Sequence, residues 1–239
     1  MRGVVSVHNT IAHGPGSRGT YQEEAERVVG FCGDGVPCIP GAERPMEHRE
    51  DLVPSAGLEL MVEEARQGPL TVIATGPATD VASLALAAPE TRDNVRVVWL
   101  GGFGGKDLYE RHKIHELNGR ADIAAWRGLF EGRTDLLLVP GWPAPAKMAE
   151  ILQRWVVEYS GDVDPEGEKI LWDVACVAAV ADPEAATVEG TELPTLDAAG
   201  SHDYSQPGRE VGMVDDLDEG RVISSLMGAL GRLPDGGRS

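Results

Sequence analysis

The chain has 239 residues, 42% of them apolar and 25% charged, which is ordinary globular usage and excludes a disordered or membrane-spanning chain. Asp and Glu outnumber Lys and Arg by 39 to 21, giving a formal net charge of −18. A field of this sign repels phosphate backbones and anionic membranes, so it argues against nucleic-acid polymers and membrane surfaces as partners.

Short runs rich in β-branched residues alternate with helical patterns as far as Pro140. The runs are almost continuously apolar, as parallel strands covered on both faces are. This alternation predicts one α/β domain over residues 1–239, with a mostly parallel open sheet and helices on both faces. The predicted strands span residues 3–7, 70–75, 95–100 and 135–139, and the predicted helices span 21–31, 57–66, 80–86 and 123–130.

After Pro140 the pattern becomes mainly helical. It predicts helices over residues 147–159 and 166–180, a strand over 210–214 and a final helix over 219–230. The three cysteines, Cys32, Cys38 and Cys176, show neither a CxxC pair nor zinc-finger spacing. Their odd number argues against a disulfide framework, and the N-terminus lacks a signal-peptide pattern. We therefore expect reduced thiols in a cytoplasmic protein.

Ligands of open α/β sheets bind beyond the carboxyl ends of the strands. Four loops qualify in this chain: "HNTIAHGPG", "GPATD", "GGFGGKDLYERHKIHELN" and "PGWPAPA". We expect the side chains in and near these loops to converge at that edge of the sheet. They are Asn9, Thr79, Glu116, Asn118 and Asp173.

Glu116 and Asn118 alternate around Leu117, so an extended segment would present both to one side. A carboxylate beside an amide can bind vicinal hydroxyls, since the pair supplies an acceptor and a mixed donor and acceptor. The alternative is a solvated loop. Asp122, just before "IAAWRGLF", is predicted to cap that helix.

Two further sites leave two interpretations open. Asp173 lies in the apolar stretch "LWDVACVAAVADPE", where a lone carboxylate must be hydrogen-bonded internally or bound to a cation. Thr79 and Asp80 follow the strand "LTVIAT"; a helix cap is favoured there, and a loop carbonyl binding a cation is the alternative. The predicted buried face around Asp173 consists of Leu171, Val174, Val177 and Ala178.

Four segments in chain order resemble the inosine/uridine-preferring nucleoside hydrolase family: "GPATDVASLALAAPE", "VRVVWLGG", "HELNGRADIAAWRGLFEG" and "ILWDVACVAAVADPE". They are similar to its "GPLTNIA" turn, its strand ending in a hydrophobic residue and Gly-Gly, its "EFN…DPEAA" segment and its late "D-x-x-A-V-A" helix. The likeness covers nearly the whole chain. It implies hydrolysis of the N-glycosidic bond of a ribonucleoside, a small-molecule partner, to ribose and free base.

The resemblance also implies site residues. A calcium ion in that family holds the ribose 2′- and 3′-hydroxyls and the attacking water, while an Asp takes the water's proton. Asp173 and the backbone carbonyl of Thr79 match calcium ligands. The positions matching ribose-binding residues are Asn9, Glu116 and Asn118, with Leu100 matching the hydrophobic residue beneath the sugar.

The chain departs from the family pattern at three places. It has no "DTDxxxDD" motif, so we expect the first strand, most calcium ligands and the general base to be missing. Trp172 stands where many members carry the His that protonates the leaving base, and Asp80 replaces an Asn. We therefore expect this chain alone to be a poor or inactive hydrolase, with apolar strand edges that favour a homo-oligomer. The rival hypothesis is a catalytically inactive family member that serves as a ligand-binding or interaction domain.

Overall fold

The computed structural model describes residues 1–33, 35–102, 106, 109–110, 116–140, 172–206 and 208–232. The predicted helix over 147–159 and residues 166–171 of the next predicted helix lie outside these ranges. In chain order the described elements are β1 (Val4–Ser6), α1 (Thr10–His13), α2 (Ser17–Cys32), β2 (Cys38–Pro40), α3 (Ala56–Gln67), β3 (Leu70–Ala74), α4 (Thr79–Ala87), β4 (Val95–Leu100), α5 (Leu117–Ala121), α6 (Ile123–Glu131), β5 (Asp135–Val139), α7 (Trp172–Ala181), β6 (Ala186–Glu192), β7 (Thr195–Leu196), β8 (His202–Asp203), β9 (Glu210–Leu217) and α8 (Glu219–Leu230).

A five-stranded sheet forms the centre of the fold, in the order β3-β4-β5-β9-β6. β3, β4, β5 and β9 are parallel, and β6 joins β9 antiparallel at one edge. The predicted strands and helices up to Pro140 and the final helix are confirmed, with ends that differ by a few residues. The chain therefore has the predicted mostly parallel α/β architecture.

Helices cover both faces of this sheet because β4 and β5 are apolar on both sides. On the first face, Val97 and Trp99 of β4 pack with residues of α3, α4 and α6. On the second face, Val98 and Leu100 pack with residues of α7 and α8. Continuous apolar runs in the sequence thus reflect strands that are buried on both sides.

β1 and β2 form a separate parallel pair. Among the described residues, β1 pairs only with β2, although the sequence suggested a place for β1 in the main sheet. α3 contacts both β2 and β3, and the methyl groups of Val5 lie against Gly57 of α3. The pair is therefore attached to the main sheet through helix packing rather than through strand pairing.

Several expectations from the sequence need correction, most of them in the C-terminal part of the chain. β6, β7 and β8 were not predicted, and neither was β2. The buried face predicted around Asp173 is right only in part. Val174 and Ala178 are partly buried against the core, but Val177 is 49% exposed, and the buried residues are Ala175, Cys176 and Ala179. Small residues face the sheet because α7 packs closely on β4. All three cysteines are free thiols, as predicted.

No helix within the described ranges has both the length and the apolar character that crossing a bilayer requires.

The core of the first face generates a stability prediction. Leu138 of β5 is 1% exposed and belongs to this core, so Leu138→Ala should remove about 2–5 kcal/mol from the free energy of unfolding by leaving a cavity. Leu86→Ala on α4 is the matched control, because Leu86 is 41% exposed and should cost far less. Urea unfolding followed by circular dichroism would measure both, and equal losses would contradict the assignment of this core.

Candidate functional site at the carboxyl edge

The carboxyl ends of β3 and β4 meet at the side chain of Asn118. Its amide Nδ2 donates to the carbonyl of Thr75, just after β3, at 3.1 Å, and to that of Leu100, the last residue of β4, at 2.9 Å. Asn118 is 8% exposed, so these bonds satisfy two carbonyls that the neighbouring strands leave without partners. The structure thus places Asn118 and Leu100 together at the predicted edge.

Glu116 begins helix α5 instead of lying in an extended segment. Its carboxylate accepts hydrogen bonds from the backbone N–H groups of Asn118 and Gly119, as an N-cap residue does, and from Gly102 after β4. The prediction that Glu116 and Asn118 share one side of an extended strand is therefore wrong. Burial raises the pKa of Glu116 to about 7, against the lowering effect of these amide hydrogen bonds.

A second buried cluster lies at the start of α4. The hydroxyl of Thr79 donates to Asp122 Oδ2 at 2.6 Å and lies 2.9 Å from His8 Nε2. Asp122 also accepts from the backbone N–H of Met46 and caps α6 by accepting from Ala125 N–H. The predicted helix cap is confirmed, and its carboxylate additionally bonds to two other segments of the chain, at Thr79 and at Met46.

The proton positions in this cluster follow from its donors and acceptors. The single Thr79 hydroxyl proton points to the Asp122 carboxylate, so His8 Nε2 must carry a proton and donate to Thr79. His8 Nδ1 is then a bare acceptor, buried and without a hydrogen-bond partner in the described structure. Burial lowers the pKa of His8, opposed by the charge of Asp122, so the imidazole is neutral near pH 7.

The residues after β3 do not cap α4 as predicted. The N-cap position is Ala78, and the Thr79 hydroxyl is used by Asp122. The Asp80 carboxylate instead accepts from the backbone N–H of Ala42 at 2.8 Å and from the Ser55 hydroxyl at 2.6 Å. Burial raises the pKa of Asp80, while these hydrogen bonds lower it. Asp80 therefore ties the loop after β2 to α4.

Asn9 lies on the same side of the molecule. Its side chain caps α1 by accepting from Ala12 N–H at 3.2 Å, and its own N–H donates to Ser17 Oγ. The residue is 8% exposed, and α1 contacts α5, the helix that begins after Glu116. Asn9 is thus brought to the edge that also carries Glu116.

The two remaining predicted residues relate to the second face of the sheet. Leu100 is buried in the core that α7 and α8 form there. Asp173 lies in the first turn of α7 and is exposed, which is not what a lone carboxylate on a buried helical face would show. Its charge adds to the effect of burial in raising the pKa of Cys176. Thr79 belongs to α4, on the opposite face.

The residues present do not by themselves fit a calcium ion. Ca²⁺ takes six to eight oxygen ligands, and no three His, Cys, Asp or Glu side chains among the described residues could hold a metal together. Thr79 is the first residue of α4, where a carbonyl ordinarily accepts from the amide four residues later.

His8 stands in the sequence only as the first residue of the loop "HNTIAHGPG", and the pattern around Asp122 predicts a helix cap alone. The contact of His8 with Thr79 spans 71 residues, and that of Thr79 with Asp122 spans 43. Contacts between residues so far apart in the chain cannot be predicted from local residue spacing. The available signal was that each residue follows an apolar strand or precedes a helix at the same predicted edge of the sheet.

Comparisons with known proteins show the fold. No family model and no curated protein sequence matches the chain. An inosine-uridine preferring nucleoside hydrolase from Bacillus anthracis is 22% identical, with a TM-score of 0.58 over 72% of this chain; the match spans 64% of that protein's length. A purine-preferring ribonucleoside hydrolase from Gardnerella vaginalis is 15% identical, with a TM-score of 0.66 over 98% of this chain and 90% of its own. A plant nucleoside hydrolase is 16% identical, with a TM-score of 0.61 over 89% and 86%. The chain therefore has a nucleoside hydrolase-like fold.

The buried cluster generates a stability prediction. Thr79→Val keeps the shape of the side chain but leaves Asp122 and His8 without a shared partner, which should cost about 1–3 kcal/mol of the free energy of unfolding. Thr71→Val, on the exposed side of β3, is the matched control and should change stability by less than about 0.5 kcal/mol. Chemical unfolding of both variants would measure the difference, and equal values would show that the hydroxyl is not needed.

The raised pKa of Glu116 predicts that the stability of the folded chain depends on pH. Its pKa is higher in the folded chain than its ordinary value of 4.5, so the folded state holds the proton more tightly. The resulting stabilisation is fully present below about pH 4.5 and is lost as the pH rises through about 7. A shift of this size corresponds to about 3 kcal/mol. Glu116→Gln should flatten this part of the stability curve between pH 4 and 8, whereas Glu23→Gln, at an exposed site on α2, should leave it unchanged.

Proposed function

We propose that this chain binds a ribonucleoside at the carboxyl edge and hydrolyses its N-glycosidic bond to ribose and free base. The observation that carries the proposal is the placement of Asn9, Glu116 and Asn118 around the ends of β1, β3 and β4 in a nucleoside hydrolase-like fold. In such folds the ligand lies beyond the carboxyl ends of the strands. Asn9, Glu116 and Asn118 are the proposed contacts to the ribose hydroxyls.

The electrostatics of this edge favour that reaction class. Cleavage of an N-glycosidic bond passes through an oxocarbenium-like state, in which positive charge develops on the sugar ring. The Asp80 and Asp122 carboxylates are both buried beneath this edge, at 6% and 2% exposure. Buried charges are screened less than surface charges, so they stabilise a neighbouring positive charge more effectively.

Whether hydrolysis by this chain requires calcium is to be tested by experiment. The resemblance implies Asp173 and the Thr79 carbonyl as ligands, but their helices lie on opposite faces of the sheet, and the two fall short of the oxygens that Ca²⁺ takes. The sequence also has no "DTDxxxDD" motif to supply a general base. Loss of a positioned base costs about 10²–10⁴-fold in rate, so we expect slow turnover. We further propose a cytoplasmic location, consistent with three free thiols.

A second candidate function is binding without catalysis. It is favoured by the internal use of the polar groups: Glu116 accepts three backbone N–H groups, and the amide of Asn118 donates to two carbonyls. A ribose hydroxyl would have to replace one of these bonds, which leaves little net gain for each new contact. A domain that has kept the fold for ligand binding or protein interaction is consistent with this arrangement.

One experiment separates the two functions. The chain is incubated with inosine, uridine and a nitrophenyl riboside, with calcium or with a chelator, and release of free base is followed by absorbance. We expect slow release of free base. Dependence on calcium that Asp173→Asn removes would show that Asp173 is a ligand, because an amide lacks the charge of a carboxylate ligand. Asp215→Asn, at an exposed position on β9, is the matched control and should keep the full rate.

The alternative outcomes decide between the candidates. Release that Asp173→Asn and the chelator leave unchanged would refute the calcium assignment while keeping the hydrolase. Binding of inosine or uridine in calorimetry without release of base would establish the binding domain instead. If the chain neither releases free base nor binds inosine or uridine, the proposed function is wrong altogether.

A further inference from the structure

Helix α5 contains the one Asn-Gly pair of the sequence, Asn118 and Gly119. In such a pair the backbone nitrogen of the glycine can attack the side-chain carbonyl carbon of the asparagine, because glycine has no side chain to hinder the approach. This reaction makes asparagine a thermolabile residue. The other two asparagines are followed by β-branched residues, which obstruct the same attack, in the pairs Asn9-Thr10 and Asn94-Val95.

Packing and the strand ends explain why this labile pair stands at the carboxyl edge. A Cβ atom at position 119 would lie 2.2 Å from the ring of Trp126, which favours glycine there. The two N–H bonds of the Asn118 amide donate to the carbonyls of Thr75 and Leu100. Aspartate could not replace Asn118 in this role, since a carboxylate has no proton to donate. The fold therefore requires a pair that is chemically reactive.

The folded conformation keeps the two reacting groups apart. Ring closure between the Gly119 nitrogen and Cγ of Asn118 requires a non-helical backbone at Asn118, whereas this residue lies in the first turn of α5. The N–H groups of Asn118 and Gly119 both donate to the carboxylate of Glu116. The side-chain amide, which would be the leaving group, is held by two carbonyls. Both groups are thus engaged in other bonds while α5 is formed.

These restraints depend on a short helix. α5 spans only Leu117–Ala121, and isolated helices of this length are marginal in water, so its persistence depends on its bonds to the rest of the chain. Proteins open locally at a lower cost in free energy than global unfolding. Opening of α5 would release the Gly119 N–H from Glu116 and free the backbone of Asn118. The reaction rate should then follow the fraction of molecules in which α5 is open.

We infer that Asn118 is a self-modification site whose reaction is suppressed by the Glu116 cap of α5. When α5 opens, the Gly119 nitrogen bonds to Cγ of Asn118, its proton passes through solvent to Nδ2, and Nδ2 leaves as ammonia. A succinimide ring remains, and water opens it to aspartate or isoaspartate. Only water is consumed, and no group is oxidised or reduced.

The product would disrupt the carboxyl edge. A carboxylate at position 118 has no proton to donate to the carbonyl oxygens of Thr75 and Leu100, so electrostatic repulsion replaces two hydrogen bonds. The change is irreversible because the ammonia is lost to solvent. The inference does not depend on nucleoside binding, since it concerns bonds within the chain itself.

The first test compares the unmodified whole chain in mildly alkaline buffer with the same chain unfolded in guanidinium chloride. Mass spectrometry of tryptic peptides measures the conversion of each asparagine to an acid. We expect Asn118 to convert in the unfolded chain and at least about tenfold more slowly in the folded chain, while Asn9 and Asn94 stay intact over the same time. Equal rates for Asn118 in both states, or no conversion in the unfolded chain, would overturn the inference.

Variants test the role of the cap. Glu116→Ala removes the acceptor of the Gly119 N–H and should accelerate conversion in the folded chain between about twofold and thirtyfold, the range that corresponds to loss of a helix N-cap. Asp218→Ala is the matched control, because it removes an N-cap bond to the Arg221 N–H from α8 instead. It should leave the rate at Asn118 unchanged. Equal acceleration by the two variants, or none by Glu116→Ala, would refute the role of the cap.

A third variant tests the effect of the product. Asn118→Asp introduces one of the two products directly and should lower the unfolding temperature. Asn94→Asp is the comparison, because Asn94 is an exposed residue whose amide donates to a single carbonyl, that of Ala65. We expect the smaller loss there. An Asn118→Asp chain that is as stable as the unmodified chain would show that modification does not disrupt the carboxyl edge.

Discussion

The carboxylate of Asp122 joins segments that are far apart in the chain, and the geometry of the carboxyl edge depends on it. It accepts from the backbone of Met46, from Ala125 at the start of α6 and from the hydroxyl of Thr79. Through Thr79 it reaches His8, at the end of β1. Among the described residues β1 pairs with β2 and not with the main sheet, so this buried cluster gives the two units a direct polar link. Removing one member would leave buried partners unsatisfied, which is why such clusters fix a single arrangement.

The polar side chains of this edge must satisfy the backbone at the strand ends, and this requirement competes with binding a ligand. Parallel strands end there with carbonyls that need donors, and Asn118 supplies two of them. Side chains that satisfy the backbone in the absence of ligand gain little by turning to a sugar hydroxyl, because each new bond replaces an old one. Nucleoside affinity at this edge would then come mainly from the shape of the site and from the electrostatic field of the buried carboxylates rather than from additional hydrogen bonds.

The sequence was sufficient for those parts of the fold that local pattern determines. Apolar runs and helical periodicity predicted β3 to β5 and the helices α4 and α6, and the signal was clearest for β4 and β5, which are buried on both faces. β6, "ATVEGTE", escaped prediction because it is an edge strand with mostly exposed, mixed residues. The start of α5 was misjudged because Gly119 obscured the helical pattern; a Cβ atom there would lie 2.2 Å from the ring of Trp126, so close packing requires the glycine. Partners such as Met46 for Asp122 are set by tertiary contacts that no local spacing encodes.

The electrostatic character of the carboxyl edge is set by buried groups rather than by the net charge of the chain. Asp80 and Asp122 are buried beneath the carboxyl edge, which favours a group that acquires positive charge. Surface charges more than about 10 Å apart are screened at physiological salt, whereas buried charges keep their influence locally. The formal net charge of −18 therefore says little about the field at this edge, which the two buried carboxylates beneath it dominate.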